Sequence, residues 1–206
     1  GKDKQLLLVN SQILFRPERH SNGRDYLFNV DTSNQDILSL AIADGSKQAV
    51  ITSSVDDRLA RLAADGQSMA YVSLASGQEQ IWVRLAQGHT ERQLSHFTNN
   101  LHFYDLVWSP DNRYIAAMTS NEIYLLEVAN GTSVKLPIAQ SQMTGLSFKS
   151  NTELAFSRKL EGQWRVHVYR LDSQGIEVLD STWQVVNYGS GIQATLWLDN
   201  QDKLYV

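Results

Sequence analysis

Along the chain, short apolar runs alternate with polar turn clusters on a beat that recurs. A bulky apolar residue stands three positions before an acidic or amide residue five times: Phe15 before Glu18, Leu62 before Asp65, Trp108 before Asp111, Phe148 before Asn151 and Trp197 before Asn200. Successive bulky residues are 47, 46, 40 and 49 positions apart. A short β-type run follows each turn, at Tyr26 to Phe28, Ala70 to Val72, Ala116 to Met118, Ala155 to Ser157 and Leu204 to Val206. In the first four units a third run follows, at Ile37 to Ile42, Ile81 to Leu85, Ile123 to Val128 and Val166 to Leu171, and each of these meets a glycine. Those glycines are Gly45, Gly88, Gly131 and Gly175; Asp44-Gly45 and Asn130-Gly131 suit tight hairpins, whose backbone enters the left-handed region. A more polar fourth run closes each unit, at Gln48 to Thr52, Arg92 to Ser95, Val134 to Ile138 and Ile176 to Leu179.

Four short antiparallel strands recurring every 40 to 50 residues are the mark of a β-propeller blade. The pattern predicts an all-β propeller of about four four-stranded blades, at 11–54, 55–99, 100–140 and 141–182, with a partial fifth at 183–206, the whole chain 1–206 being one domain. As counted, the ring is incomplete or truncated, unless Leu6 to Val9 supplies an outer strand that closes it; an unpaired edge would invite a second copy to form a homodimer. Small apolar first strands suit the crowded axis, and polar last strands suit a wet edge. A lone blade cannot bury both faces, so Phe15, Trp108, Phe148 and Trp197 are expected to fill the space between neighbouring blades. A β-sandwich does not require a four-beat repeat. No 10-residue stretch has convincing helical periodicity, although Arg58 to Ala64 is locally permissive for helix.

With 206 residues, 42% of them apolar and 19% charged, the chain can build a full core. A net charge of −4 gives no field to gather a polyanion, so direct nucleic-acid contact by this segment is not expected. No run approaches the roughly 20 apolar residues of a membrane span. The absence of cysteine excludes disulfides, thiolate metal sites and a cysteine nucleophile, but leaves the compartment open. The chain opens on Gly1 without an initiator Met or signal segment, and it is therefore read as a piece of a longer protein.

The segments Trp108-Ser109-Pro110-Asp111-Asn112-Arg113-Tyr114-Ile115-Ala116 and Ala64-Asp65-Gly66-Gln67-Ser68-Met69-Ala70-Tyr71-Val72-Ser73 resemble the TolB-type propeller repeat, whose core reads W-S-P-D-G-x-x-I-A-F. Gln80-Ile81-Trp82-Val83 and Arg92-Gln93-Leu94-Ser95 echo its second half. The fourth unit departs from it, with Lys149-Ser150-Asn151 in place of Pro-Asp-Gly, and the first has a long turn from Glu18 to Arg24. Such repeats occur in TolB, in the propeller of prolyl-oligopeptidase-like peptidases, and in the extracytoplasmic part of membrane-anchored winged-helix regulators of the CadC and ToxR type. The degenerate array with amide-rich loops looks most like the last group. That resemblance implies a non-catalytic sensory propeller, the periplasmic part of an inner-membrane regulator that reads a protein, a peptide or a small-molecule signal, its anchor and DNA-binding domain lying outside these residues. The alternatives are a soluble TolB-like envelope interaction module, periplasmic or else cytoplasmic, and the accessory propeller of a peptidase.

The hydrolase pattern Gly-x-Ser-x-Gly is absent, and Gly189-Ser190-Gly191 lacks its spacing, so no catalytic residue is assigned. None of His20, His89, His96, His102 and His167 belongs to a ligand motif. His96, His102 and Asp105 could approach one another, but loop histidines are commonly just solvated; no metal and no cofactor is assigned. His167, between Val166 and Val168, reads as structural, and Asn130-Gly131-Thr132 as a turn rather than a glycosylation acceptor. Propellers collect binding surfaces where fourth-to-first and second-to-third loops converge. The candidate binding residues are accordingly His96, Asn99, Asn100, His102 and Tyr104, with Phe97 and Phe103 beside them, and Trp183, Asn187 and Tyr188 from the segment Trp183 to Ile192.

Overall fold

The computed structural model describes residues 14–19, 24–31, 34–86, 90–171, 196–198 and 203–205. The described residues hold strands and turns and no helix. The chain divides into two compact units, Gly1–Glu91 and Arg92–Val206.

In the first unit, β1 (Leu14–Arg19), β2 (Asp25–Asp31), β3 (Gln35–Ala41) and β4 (Lys47–Ile51) pair in chain order as an antiparallel meander. The second sheet runs β5 (Asp57–Leu62), β6 (Met69–Ser73), β7 (Gln80–Arg84) and β8 (Glu91–Gln93), again in chain order. Arg58 to Leu62, permissive for helix in sequence, is a strand, because Leu62 and Arg61 pair with Met69 and Ala70 across the turn. In the second unit, β9 (Asp105–Trp108), β10 (Tyr114–Met118), β11 (Ile123–Glu127) and β12 (Ser133–Lys135) form the third sheet. β13 (Met143–Ser150), β14 (Glu153–Leu160) and β15 (Gln163–Arg170) form the fourth, and β16 (Leu196–Leu198) pairs with β17 (Lys203–Tyr205). First strands of successive sheets are spatial neighbours within each unit, β1 with β5, and β13 with both β9 and β16. Repeated meanders with adjoining first strands make a β-propeller fold. The fourth run of unit four, Ile176 to Leu179, lies outside the described residues, as does Leu6 to Val9.

The turns that follow Leu62 and Trp108 have a local cause. Asp65 accepts from the backbone N–H groups of Gln67 and Ser68 and from the Ser68 hydroxyl. Asp111 accepts from the Arg113 N–H and from the Ser109 hydroxyl, which in turn accepts from the Tyr114 N–H. A short carboxylate thus closes the turn by bonding its own backbone two residues on. The next residue then enters the left-handed region, Gly66 at φ 67° and Asn112 at φ 60°. At Asn130-Gly131 the hairpin is closed by Asn130 accepting from the Thr132 N–H. A Cβ on Gly131, where φ is 77°, would come within 2.5 Å of the Leu94 carbonyl oxygen, so only glycine fits.

Second strands are buried along their whole length in the second and third sheets, whereas β8 and β12 carry no buried residue. The layer between the third and fourth sheets holds Phe148, but also Met118, Ile123, Leu125, Phe156 and Tyr169. Trp108 pairs with Ile115, while Val107 pairs with Ala116 and packs against that layer. Trp108 is therefore buried on the opposite face of its own sheet. The expectation of one large wedge per sheet is corrected: second and third strands supply most of the layer, because successive side chains on a strand point to opposite faces. The side chains of Phe15 and Trp197 lie outside the described residues.

Candidate functional site

Within the second unit, loops at one end of the third and fourth sheets meet through their backbones. The Tyr104 N–H donates to the Met118 carbonyl, that of Met143 to Ser120, and that of Lys159 to Gln142. Connector 94–104 is thus tied to the end of β10 and connector 136–142 to β14, while the start of β13 meets the 119–122 turn, to which Gln140 of the 136–142 connector also donates through Glu122. This convergence is the one on which the sequence reading placed its candidate surface.

The connector 94–104 is built on two aromatic anchors. Phe103 is fully buried, and Phe97 lies 5.7 Å from it and 4.9 Å, edge-on, from Tyr124 of β11. Beneath them, the Tyr124 hydroxyl donates to Glu122 at 2.6 Å, and Lys135 and Gln140 donate to the other carboxylate oxygen of Glu122 at 2.6 and 3.3 Å. Burial first, then the bond to Glu122, pushes the Tyr124 phenol up to about 12. Hydrogen bonds from Lys135 and then Tyr124 hold the Glu122 carboxyl below its ordinary value, against the smaller effect of burial. The anchor is thus fixed from below by a charge-assisted network, stronger than neutral bonds.

Above the anchors the sequence-derived candidates face outward. His96, Asn99, Asn100, His102 and Tyr104 are exposed. His96 Nδ1 shares a hydrogen bond with Gln93 Nε2 at 3.1 Å, and the Asn99 carbonyl accepts from the Leu101 N–H. The structure brings His102 and Tyr104 together, ring centroids 4.8 Å apart and nearly perpendicular. At 44% exposure, Tyr104 is the one exposed large hydrophobic side chain among the described residues. Burial of Phe103 forces this display, since its two neighbours along an extended backbone must point away from the core. Trp183, Asn187 and Tyr188 lie outside the described residues.

Asp105 is otherwise engaged. It accepts from its neighbour Leu106 and, through its second oxygen, from the Leu146 N–H at 3.2 Å, which ties β9 to β13. Among the described residues no group of three or more His, Asp or Glu side chains is gathered as a metal site. No helix among them is long and apolar enough to cross a membrane. Sequence reasoning missed the Glu122, Tyr124, Lys135 and Gln140 network. Its only sequence signal is the two-residue spacing of Glu122, which ends the turn before β11, and Tyr124 in that strand.

No family profile and no curated protein matches the chain. Solved structures do match it. A proposed TolB of Agrobacterium tumefaciens superposes with a TM-score of 0.68 at 19% identity, over 93% of this chain and 76% of that one. TolB of Acinetobacter baumannii gives 0.62 at 18% identity over 75% of this chain, but only 40% of its own length. An oligogalacturonate lyase in complex with manganese gives 0.62 at 15% identity, over 82% of this chain and 51% of that one. At these identities the likeness shows the fold, a TolB-like β-propeller, and the chain spans well under half of the Acinetobacter protein.

Proposed function

We propose that the chain is a non-catalytic, TolB-like interaction propeller of the cell envelope, working in the periplasm and receiving a protein or peptide partner at connector 94–104. The observation that carries this reading is the outward His102–Tyr104 pair on a buried, hydrogen-bonded base. Aromatic side chains with a polar tip are favoured at recognition surfaces, and a rigid base lowers the entropy lost on docking. Asn99 and Asn100 add amide groups that match a peptide backbone. The TolB-like architecture supports an envelope module ahead of a sensory regulator of the CadC type. An enzyme shares the fold, so the non-catalytic assignment rests on the absence of a nucleophile motif and on a surface built from aromatic and amide groups.

The test is capture from envelope extract by the full chain, compared with a His102→Ala/Tyr104→Ser double variant and a control at exposed Ser133 of β12, Ser133→Ala. A discrete partner retained by wild type and control but lost by the double variant, with unchanged melting, is the expected outcome. Equal capture by all three would defeat the reading.

A further inference from the structure

We propose that a pocket between the 136–142 connector and the β14–β15 pair binds a small organic carboxylate on a short apolar body, with Arg158 receiving the charge and Arg165 adding to the field. The inference is independent of the reading given to connector 94–104.

β14 and β15 place their residues in strict register, with Phe156 opposite His167 and Arg158 opposite Arg165. All four therefore share one face. Two guanidinium groups directly opposite each other repel. Arg165 meets Glu161 at 3.7 Å, but that carboxylate is 87% exposed, so water screens the pair. Among the described residues no carboxylate pairs with Arg158. Its Nε donates instead to His167 Nε2 at 3.1 Å, which leaves the imidazole proton on Nδ1.

His167 cannot supply the balancing charge. It is buried, its ring is stacked on Phe156 at 5.7 Å, and burial first, then Arg158 and Arg165, pushes it down to about 4. The imidazole is neutral at physiological pH, so a half-buried guanidinium faces a neutral ring on one side and another cation on the other. Such a charge is costly without a counter-ion, and the arrangement calls for an anion.

The adjoining cavity says which kind. It is a partly open pocket of about 220 Å³ lined by the 136–142 connector, β14 and β15. Ile138, Ala139, Phe156 and Val168 wall it, and Arg158 and His167 form its polar end. An apolar cavity of roughly 150 Å³ already admits a benzene-sized body, so there is room for a group of about amino-acid size and not for a long chain. The apolar wall disfavours a fully hydrated inorganic anion, while a planar carboxylate matches the guanidinium fork. The source is a free carboxylic acid or the C-terminal residue of another chain.

The test is titration of the full chain with N-acetyl-leucine, with N-acetyl-leucinamide, and with a pentapeptide ending in leucine with a free C-terminus. The acid is expected to bind saturably and the amide about tenfold or more weakly, because only the acid makes the charge-assisted bond. Arg158→Gln should abolish the preference while melting no lower than wild type, since it relieves the repulsion; Arg165→Gln should weaken binding less. Peptide binding with the same Arg158 dependence assigns the chain end as a source, and binding of the acid without the peptide assigns the free acid; either supports the site. Independently of any variant, saturating acid should raise the His167 pKa read by NMR. Equal binding of acid and amide, binding of neither, binding unaffected by Arg158→Gln, or a His167 pKa that does not move would overturn the proposal.

Discussion

Replacing Phe148 by alanine probes the layer that joins the third and fourth sheets. The side chain is 7% exposed and packs with Met118, Leu125, Leu154 and Phe156. Burial of an aromatic side chain removes about 150 to 250 Å² from water, or roughly 4 to 6 kcal/mol at 25 cal/mol/Å². A compact unfolded chain lowers that to roughly 3 to 4 kcal/mol, and measured Phe→Ala losses in cores run at about 3 to 5. Against a native stability of about 5 to 15 kcal/mol, this is a large fraction of the whole. At roughly 2 to 4 °C per kcal/mol for a chain of this length, Phe148→Ala should melt about 10 °C lower. The assay is urea and thermal unfolding followed by circular dichroism, with Phe148→Leu beside it, expected to lose only about 1 kcal/mol because most of the volume is kept. A Phe148→Ala protein within about 1 kcal/mol of wild type would refute the packing argument.

Two further outcomes follow from the base of the connector. Phe97→Ala removes both ring contacts, so amide hydrogen exchange should accelerate across residues 96–104 while β13 to β15 keep their protection; uniform exchange would show that Phe97 does not anchor the loop locally. Glu122 has a folded pKa below its ordinary 4.5, so its contribution is present above that value and fades as pH falls through the folded value. Glu122→Gln should therefore be less stable than wild type by about 1 kcal/mol at pH 7, with the difference closing in acid; a pH-independent difference would contradict the assigned network.

The repeat was readable because turn chemistry and strand pairing act locally. Asp65 and Asp111 bond backbone two residues on, and Gly66, Asn112 and Gly131 occupy left-handed positions, so residue type and spacing announce the turns. Phe148 and Trp108 were both legible as buried packing residues, whereas the face each one takes was not, because it depends on pairings such as that of Trp108 with Ile115, which one-strand periodicity does not contain. Exposure of His96, Asn99, Asn100, His102 and Tyr104 followed from their polarity and from the apolar residues between them. The support under the connector could not be read, since Tyr124 and Glu122 reach Phe97 and Lys135 from another part of the chain. The Arg158, Arg165 and His167 face carried a usable signal: Arg158 and Arg165 are nearly equidistant from the turn at Glu161-Gly162, and a tight hairpin there sets them opposite each other.

A photoreactive residue placed at Tyr104 of the full chain in living cells, with a matched one at Asn130 on the third-to-fourth hairpin, tests most directly whether the connector end is the docking face. The account expects a discrete crosslinked protein at position 104 and none at 130. The same crosslinked species at both positions, or none at 104, would contradict it.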